Sequence, residues 1–434
     1  MNKLAIHGGS RLISESLPAW PSLSTSVLED IRAILETGEI NYWTGRRGMA
    51  FESCLAAYLG GGYAVTTTNG TSALHTAIAA LGIGSGDEVI CQSYTFIATA
   101  FSILQAGAIP VFADIDQTHT LDPKSVESKI SEKTRAIIVV HTFGVSTDMG
   151  AIMTIARNYG LKVIEDCAQA LGAKYDGSYL GTIGDAGCFS FCQSKHITTG
   201  GEGGAVYVKS EELAWKCRSF RDHGYDVEKR LGLFDISQKL PYIHTRVGFN
   251  YRMTEIQSAI GLTELTRFKT TLLKLRIRNG RLLSKLLEGH PLIKHPPVDD
   301  AVRVNSFWWA PFVLNMDIID CDVKTFAKAL EAEGAPAYTV PWPEIYNEEA
   351  FQRKNGFGTR DYPFNDPAHD QIDYASTLCH EARRMGNSTI AFLSHPVYSV
   401  RHIELFAAAF DKVYEHYKMP LAGKPKDRAV LVKG

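Results

Sequence analysis

Arg135-Ala-Ile-Ile-Val-Val-His141, a helical-period segment from Met149 to Tyr159, and Lys162-Val-Ile-Glu165 follow one another between residues 135 and 165. Two β-branched apolar runs joined through a helix need a crossover, and a crossover returns the second strand parallel to the first. Neither run alternates polar with apolar, so both faces of these strands are expected to be covered. Further runs of the same kind lie toward the N-terminus, at Tyr63-Ala-Val-Thr-Thr-Thr68, Glu88-Val-Ile-Cys91 and Ile109-Pro-Val-Phe112, with another helical segment from Ser72 to Leu81. Toward the C-terminus come Ala186-Gly-Cys-Phe-Ser-Phe191 and Gly204-Ala-Val-Tyr-Val208. A glycine-rich stretch separates this last pair, so one of them is expected to be antiparallel. The pattern predicts an α/β protein with a mostly parallel sheet between helices.

The chain has 434 residues, 45% apolar and 21% charged, with a formal net charge of −2. That length predicts two domains, and the balance is that of a globular protein with no call for nucleic acid or a membrane partner. The opening MNKLAIHGGSRL has no signal-like apolar core, and no apolar run reaches the roughly 20 residues of a membrane span. A cytoplasmic location is therefore expected. The eight cysteines, Cys54, Cys91, Cys167, Cys188, Cys192, Cys217, Cys321 and Cys379, form no C-x-x-C pair and read as reduced packing residues. Cys188 and Cys192 lie four apart on an apparent strand, but no histidine–cysteine set converges on them, and no metal site is expected.

Near residue 265 the texture changes to a basic helical stretch, Arg267 to Leu287, and then to mixed segments with prolines. The reading divides the chain into a large domain over 1–265, including the N-terminal segment, and a smaller one over 266–434. Tyr225 to Val247 lacks a clear period and reads as a loop crossing an active site or a dimer seam. The tail Gly423 to Gly434 reads as frayed.

Ligands of open parallel sheets bind beyond the C-terminal strand ends, and three features fall there. Asn69-Gly-Thr-Ser72 follows a strand and opens a helix; it is either a phosphate seat or an ordinary cap through Thr71 or Ser72. Glu165-Asp-Cys-Ala-Gln169 ends a strand on two carboxylates, where Asp166 either holds a heterocyclic nitrogen protonated or caps the next element. Ser190-Phe-Cys-Gln-Ser-Lys-His-Ile-Thr-Thr-Gly-Gly-Glu-Gly-Gly204 strands Lys195 beside glycines. A desolvated lysine there can serve as a Schiff-base amine, with Gly200, Gly201, Gly203 and Gly204 leaving room for a bulky ligand; the bland alternative is a solvated surface cation. Together the three supply the handles for pyridoxal 5′-phosphate.

At these residues the chain resembles the DegT-type (DegT/DnrJ/StrS) sugar aminotransferases, fold-type I pyridoxal-phosphate enzymes. The resemblance runs from Leu4 to about Leu265 and more weakly to Phe410. It rests on Asn69-Gly-Thr-Ser-Ala-Leu74, Gly86-Asp-Glu-Val89, Thr95-Phe-Ile-Ala-Thr99, Glu165-Asp-Cys-Ala-Gln169, Gly181-Thr-Ile-Gly-Asp185, Ser190-Phe191, Lys195, Glu202-Gly-Gly204 and Asn250-Tyr-Arg-Met253, in that order. The opening Leu4-Ala-Ile-His-Gly-Gly9 and Trp20-Pro21 are similar to its cyclitol and aminohydroxybenzoate members. The resemblance implies an aspartate-aminotransferase-like architecture with a seven-stranded sheet and a smaller C-terminal α/β domain. It implies that Gly70, Thr71, Ser72 and Ser190 bind the cofactor phosphate, with Asn250 reaching in from a second subunit of a homodimer. Phe96 would stack on the pyridine ring, Asp166 pair with its nitrogen, Gln169 contact its hydroxyl, and Lys195 be the covalent anchor and proton carrier.

The activity so implied moves an amino group from glutamate or glutamine to a keto or aldehyde group of a sugar, nucleotide-linked or not, or of a cyclitol. Two rivals stand beside it. One is a keto-sugar dehydratase of the same fold, whose relatives carry histidine where this chain has Lys195, although His196-Ile-Thr198 is similar to them. The other is a non-catalytic sensor or scaffold, against which the retained cofactor handles argue. Two departures from the family stand out: the interval from Lys195 to Glu202 is one residue longer than its commonest form, and Tyr346 to Ser388 is an extension onto which no family residue carries and where the substrate pocket is expected to differ. Tyr225, Arg252 and Tyr338 are candidate substrate contacts, whereas His141, His223 and His395 read as structural or peripheral.

Overall fold

A computed structural model describes residues 3–231, 243–369 and 372–419. The decisive stretch forms β4 (Thr134–Val140), a helix Met149–Tyr159 and β5 (Lys162–Asp166), with β4 and β5 parallel. The helix starts where the Asp148 carboxylate accepts the Ala151 N–H at 3.1 Å and stops at Gly160, whose φ of 67° ends it. It buries Met149, Ile152, Ile155 and Ala156 against Ile137, Val139 and Val163. Each of the larger side chains contributes roughly 1.5–3 kcal/mol by leaving water.

The preceding strands are β1 (Tyr63–Thr67), β2 (Glu88–Gln92) and β3 (Ile109–Ala113); after β5 come a short hairpin, β6 (Lys174–Tyr175) and β7 (Ser178–Tyr179), then β8 (Ala186–Ser190) and β9 (Gly204–Val208). Seven of these make one sheet in the order β1-β9-β8-β5-β4-β2-β3. Only β9 runs against its neighbours, pairing antiparallel with both β1 and β8. The six parallel members therefore direct their C-terminal ends, and with them Asn69, Phe96, Asp166 and Ser190, to one edge. That edge carries the site.

A second sheet of four antiparallel strands comprises β10 (Ile293–His295), β12 (Trp309–Leu314), β13 (Ala337–Thr339) and β14 (Thr389–Leu393), while β11 (Arg303–Val304) joins the β6–β7 hairpin. The helices Val323–Glu333 and Val400–Tyr417 cover it, with Phe326, Phe392, Phe406 and Phe410 in its core. Two details differ from the sequence reading. The N-terminal segment belongs with this smaller unit: Leu4 and Ile13 enter its core, and the buried Glu333 carboxylate accepts the N–H groups of Ala5 (2.8 Å) and Leu12 (3.0 Å). No break falls at 265 either. Helical backbone continues from Glu255–Arg267 through a π turn, Phe268–Leu272, into Leu273–Leu286, with Phe268 packed in the large core and Leu283 in the small one. A helix shared by both cores leaves no composition signal at the true crossing point.

The Tyr346–Ser388 extension lies against the edge strand β3: Phe351 and Tyr374 pack edge-on to Phe112, and the Tyr374 hydroxyl donates to Pro110 O at 2.9 Å. It covers an edge that would otherwise expose unpaired backbone. Within Tyr225 to Val247, residues 232–242 lie outside the described residues, as does the tail Gly423 to Gly434.

Candidate active site

A cavity of about 570 Å³ opens at the C-terminal strand ends. Gly70, Thr71, Phe96, Asp166, Gln169, Ser190 and Lys195 all line it. Of the remaining expected residues, Ser72 does not reach it, and Asn250 is exposed elsewhere on the surface. The helix Gly70–Ala80 is capped by Asn69, whose Oδ1 accepts the Ser72 N–H at 2.8 Å, while the Ser72 hydroxyl accepts the Asn69 N–H at 3.1 Å. The Ser72 side chain is thus consumed by a reciprocal cap. The N–H groups of Gly70 and Thr71 at the first turn remain for an anion, where the helix dipole favours negative charge.

The glycines after Lys195 have a different task from the expected one: none lines the cavity. Gly201 takes a φ of 122°, and a Cβ at Gly204 would stand 2.3 Å from the Asn69 carbonyl oxygen. Gly201 supplies the turn and Gly204 lets the chain close onto the backbone of the helix cap.

Two adjacent carboxylates on β5 have opposite surroundings because successive strand residues face opposite ways. Glu165 is buried among donors: its Oε1 accepts the N–H groups of Ile183 and Gly184, and its Oε2 that of Gly181, each at 2.7 Å. His141 Nδ1 accepts the Thr147 N–H (3.2 Å), so the ring's proton sits on Nε2 and is donated to Glu165 Oε2 at 3.0 Å. Burial pushes the Glu165 carboxyl up, but the His141 and backbone donors overcome it and hold the group below its ordinary value of 4.5. Glu165, His141 and Cys167 approach one another closely enough to suggest a metal, yet these backbone donors leave the carboxylate nothing to give a cation. Glu165→Ala strands the buried donors and is expected to lower stability by about 3–5 kcal/mol, read from the denaturant midpoint. A depressed folded value means that this stabilisation is complete above the unfolded value of 4.5 and is lost as pH falls from there through the lower folded value, so Glu165→Gln is expected to flatten the acid limb.

Asp166 faces the cavity. Its Oδ2 accepts the Thr99 hydroxyl at 2.8 Å and its Oδ1 the Ala168 N–H at 3.0 Å. Burial nevertheless prevails and pushes the carboxyl up, against the pull of those donors and of Lys195. A cationic ring N–H set against it would restore the ionised form, which is the partner a protonated pyridine offers. Gln169 fixes its carbonyl on the Phe143 N–H (2.7 Å), leaving its amide NH₂ for the cavity. Phe96, 53% exposed, forms an uncovered aromatic wall.

Lys195 follows β8 on a turn and is half-buried. Its Nζ has no ion-pair partner among the described residues and lies 4.0 Å from the Trp308 ring centroid. Burial lowers its pKa from 10.5 to about 8, partly opposed by Asp166, so about a tenth is free amine at pH 7, far more than for a solvated lysine. His196 is turned away, buried edge-on to Phe268 at 6.1 Å. It takes no part in the cavity, which weakens the dehydratase reading.

Sequence reasoning missed the far wall: Trp308, Trp309, Pro341 and Trp342. Trp308 and Trp309 stack at 4.5 Å and 11°. The doubled tryptophan in Ser306-Phe-Trp-Trp309 was the available signal. Cys192 also lines the cavity, because β8 ends at Ser190 and does not carry it onto the face of Cys188. His395 is buried beside Trp20, and Tyr225, Arg252 and His223 gather outside the cavity walls.

An anion seat, an acid awaiting a cationic ring, and an amine of lowered pKa on one cavity are the marks of a fold-type I pyridoxal-phosphate enzyme. The model of the DegT/DnrJ/EryC1/StrS aminotransferase family matches residues 21–373. The chain belongs to that family, whose enzymes use pyridoxal phosphate. A GDP-perosamine synthase of Caulobacter vibrioides is 46% identical over 224 residues, 51% of this chain and 57% of that protein. The chain thus matches little more than half the length of that relative. An L-glutamine:2-deoxy-scyllo-inosose aminotransferase of Streptomyces lividus is 31% identical over 95% of this chain and 98% of its own. The crystal structure of an aminotransferase from Psychrobacter cryohalolentis superposes with a TM-score of 0.83 at 30% identity, covering 93% of this chain and 100% of that one. Among the described residues, no helix is long and apolar enough to cross a membrane.

Proposed function

We propose that this chain transfers an amino group from glutamate or glutamine to the keto or aldehyde carbon of a sugar or cyclitol ring. The observation that carries the reading is the placement of Lys195 and Asp166 on one cavity with the open helix terminus at Gly70–Thr71. Gly70, Thr71 and Ser190 would seat the cofactor phosphate, Phe96 cover the ring, Asp166 hold its nitrogen, and Gln169 its hydroxyl. When bound, pyridoxal phosphate supplies the electron sink that stabilises carbanion character at the substrate carbon. Lys195, whose amine would hold the cofactor's aldehyde carbon at rest, would take the proton from the donor carbon at Nζ as a general base and deliver it to that cofactor carbon as a general acid.

The acceptor is read from the tryptophan wall. Trp309 lines the cavity, held by stacking on Trp308 and near-parallel to Phe143 (6.0 Å, 18°), and an aromatic wall suits the C–H groups of a saturated ring. The match to a scyllo-inosose aminotransferase over nearly its whole length supports a ring ketone as acceptor. The test is a two-stage assay. Glutamate or glutamine should convert the loaded enzyme to its aminated form, and a keto-cyclitol or nucleotide-linked keto-sugar should then discharge it. Failure of every pairing would leave the scaffold reading. Trp309→Ala is expected to raise the acceptor KM about tenfold, the equivalent of ~1.4 kcal/mol of lost stacking, with the donor stage unchanged.

The working unit is proposed to be a homodimer, because Asn250 lies exposed and off its own cavity. Mixing inactive Lys195→Ala and Asn250→Ala chains should build hybrids with one intact site and restore about a quarter of wild-type activity. A mixture as dead as its parents would contradict shared sites.

A further inference from the structure

Lys195 is held from two sides by indoles. The Trp308 Nε1–H donates to Ser194 O at 2.8 Å, and the Trp20 Nε1–H donates to Lys195 O at 3.2 Å. These carbonyls belong to the two peptide planes that meet at the lysine's Cα. Orienting both planes sets φ and ψ at residue 195 and therefore the direction of its side chain. The Trp308 ring then meets the amine end, 4.0 Å from Nζ.

Arg276 joins the two indoles from behind. It is 1% exposed and has no carboxylate partner among the described residues. Its Nη1 donates to Trp308 O at 3.1 Å and more weakly to Phe307 O at 3.4 Å, and its guanidinium lies 5.2 Å from the Trp20 ring centroid. Such a cation is costly to bury, and its bonds here go to the backbone that carries Trp308. Trp20 is further stacked on His395 (5.5 Å, 19°), whose carbonyl is held by Asn279 Nδ2 at 2.8 Å. The assembly therefore draws on the N-terminal segment, the shared helix and the smaller domain, and converges on one turn of the large domain.

We propose that Trp20 and Trp308 are positioning residues for Lys195, pinning its backbone through their indole N–H groups and its amine through the Trp308 ring, with Arg276 as the tie between them. The inference rests on Lys195 being the cofactor anchor. It also implies that movement of the smaller domain would be felt at the lysine through Trp308.

The test uses full-length protein freed of cofactor and measures the rate at which pyridoxal phosphate is captured, with borohydride trapping, as a function of pH. Trp308→Phe and Trp20→Phe each keep a ring and delete an N–H; each should slow capture several-fold and weaken the induced dichroism of the bound cofactor, leaving the pH midpoint in place. Trp308→Leu also removes the ring face. Since an aromatic face favours the charged amine, its loss should move the midpoint down by about half a pH unit, a change that general loosening would not produce. Should a Trp308 variant fail to fold, Trp20→Phe, at a half-exposed position, decides alone. Wild-type capture rates, midpoints and dichroism in the folded variants would overturn the proposal. Wild-type protein with no trapped adduct at Lys195 would overturn the anchor reading, and this inference with it.

Discussion

Replacing Lys195 by alanine is expected to reduce amino transfer by roughly 10⁴-fold, the upper range for loss of a positioned proton carrier, and to abolish the borohydride-fixed adduct. The expectation follows from where the amine stands. Among the described residues it is the only lysine or arginine on the cavity wall, and burial brings its pKa to about 8. Protonated amine does not attack an aldehyde, so capture of pyridoxal phosphate by the cofactor-free chain should rise with pH to a midpoint near 8 and level off above it. A solvated lysine would place that midpoint near 10.5. Cofactor capture as a function of pH in wild type, and single-turnover amination in Lys195→Ala, check the two halves of the prediction. Lys195→Arg should be no better than alanine, because a guanidinium stays charged throughout this range.

Asp166→Asn is the second large effect. Asparagine keeps the side-chain oxygen that accepts from Thr99 or Ala168 and nearly the same volume, so the fold should survive. What goes is the negative charge proposed to keep a pyridine nitrogen protonated. Turnover is expected to fall about 10²–10³-fold, as when one preorganised electrostatic partner is removed from a reaction centre, and cofactor affinity should weaken with it. Rate and cofactor dissociation constant, measured together, separate this from simple unfolding. Asp166→Glu restores the charge but lengthens the arm, and should recover only part of the rate.

The large sheet was legible because its signal is local. Runs such as Ala-Ile-Ile-Val-Val in β4 are apolar on both faces, and their spacing by helices dictates parallel pairing. The antiparallel β9 was legible too, from the glycine-rich connection that replaced a crossover helix. That Lys195, Asp166 and the Asn69–Gly70 turn share one cavity was legible because each follows a strand end, where parallel sheets put their ligands. What stayed hidden depends on pairings that sequence distance conceals. Ser72 carries the right chemistry for a phosphate, but its hydroxyl is committed to Asn69. Gly204 answers to the Asn69 backbone, over 130 residues away in the chain. Trp308 and Trp309 belong to the smaller domain and enter the cavity only because that domain folds back over the sheet edge. The domain crossing was unreadable for a related cause, since a helix serving two cores has no seam in its composition.

The most direct test of the account is peptide mapping of wild-type protein reduced with borohydride in the presence of pyridoxal phosphate. A phosphopyridoxyl group on the single peptide containing Lys195, absent once the cofactor is discharged with amino donor before reduction, is the predicted result. A label distributed over surface lysines, or confined to a different one, would contradict it.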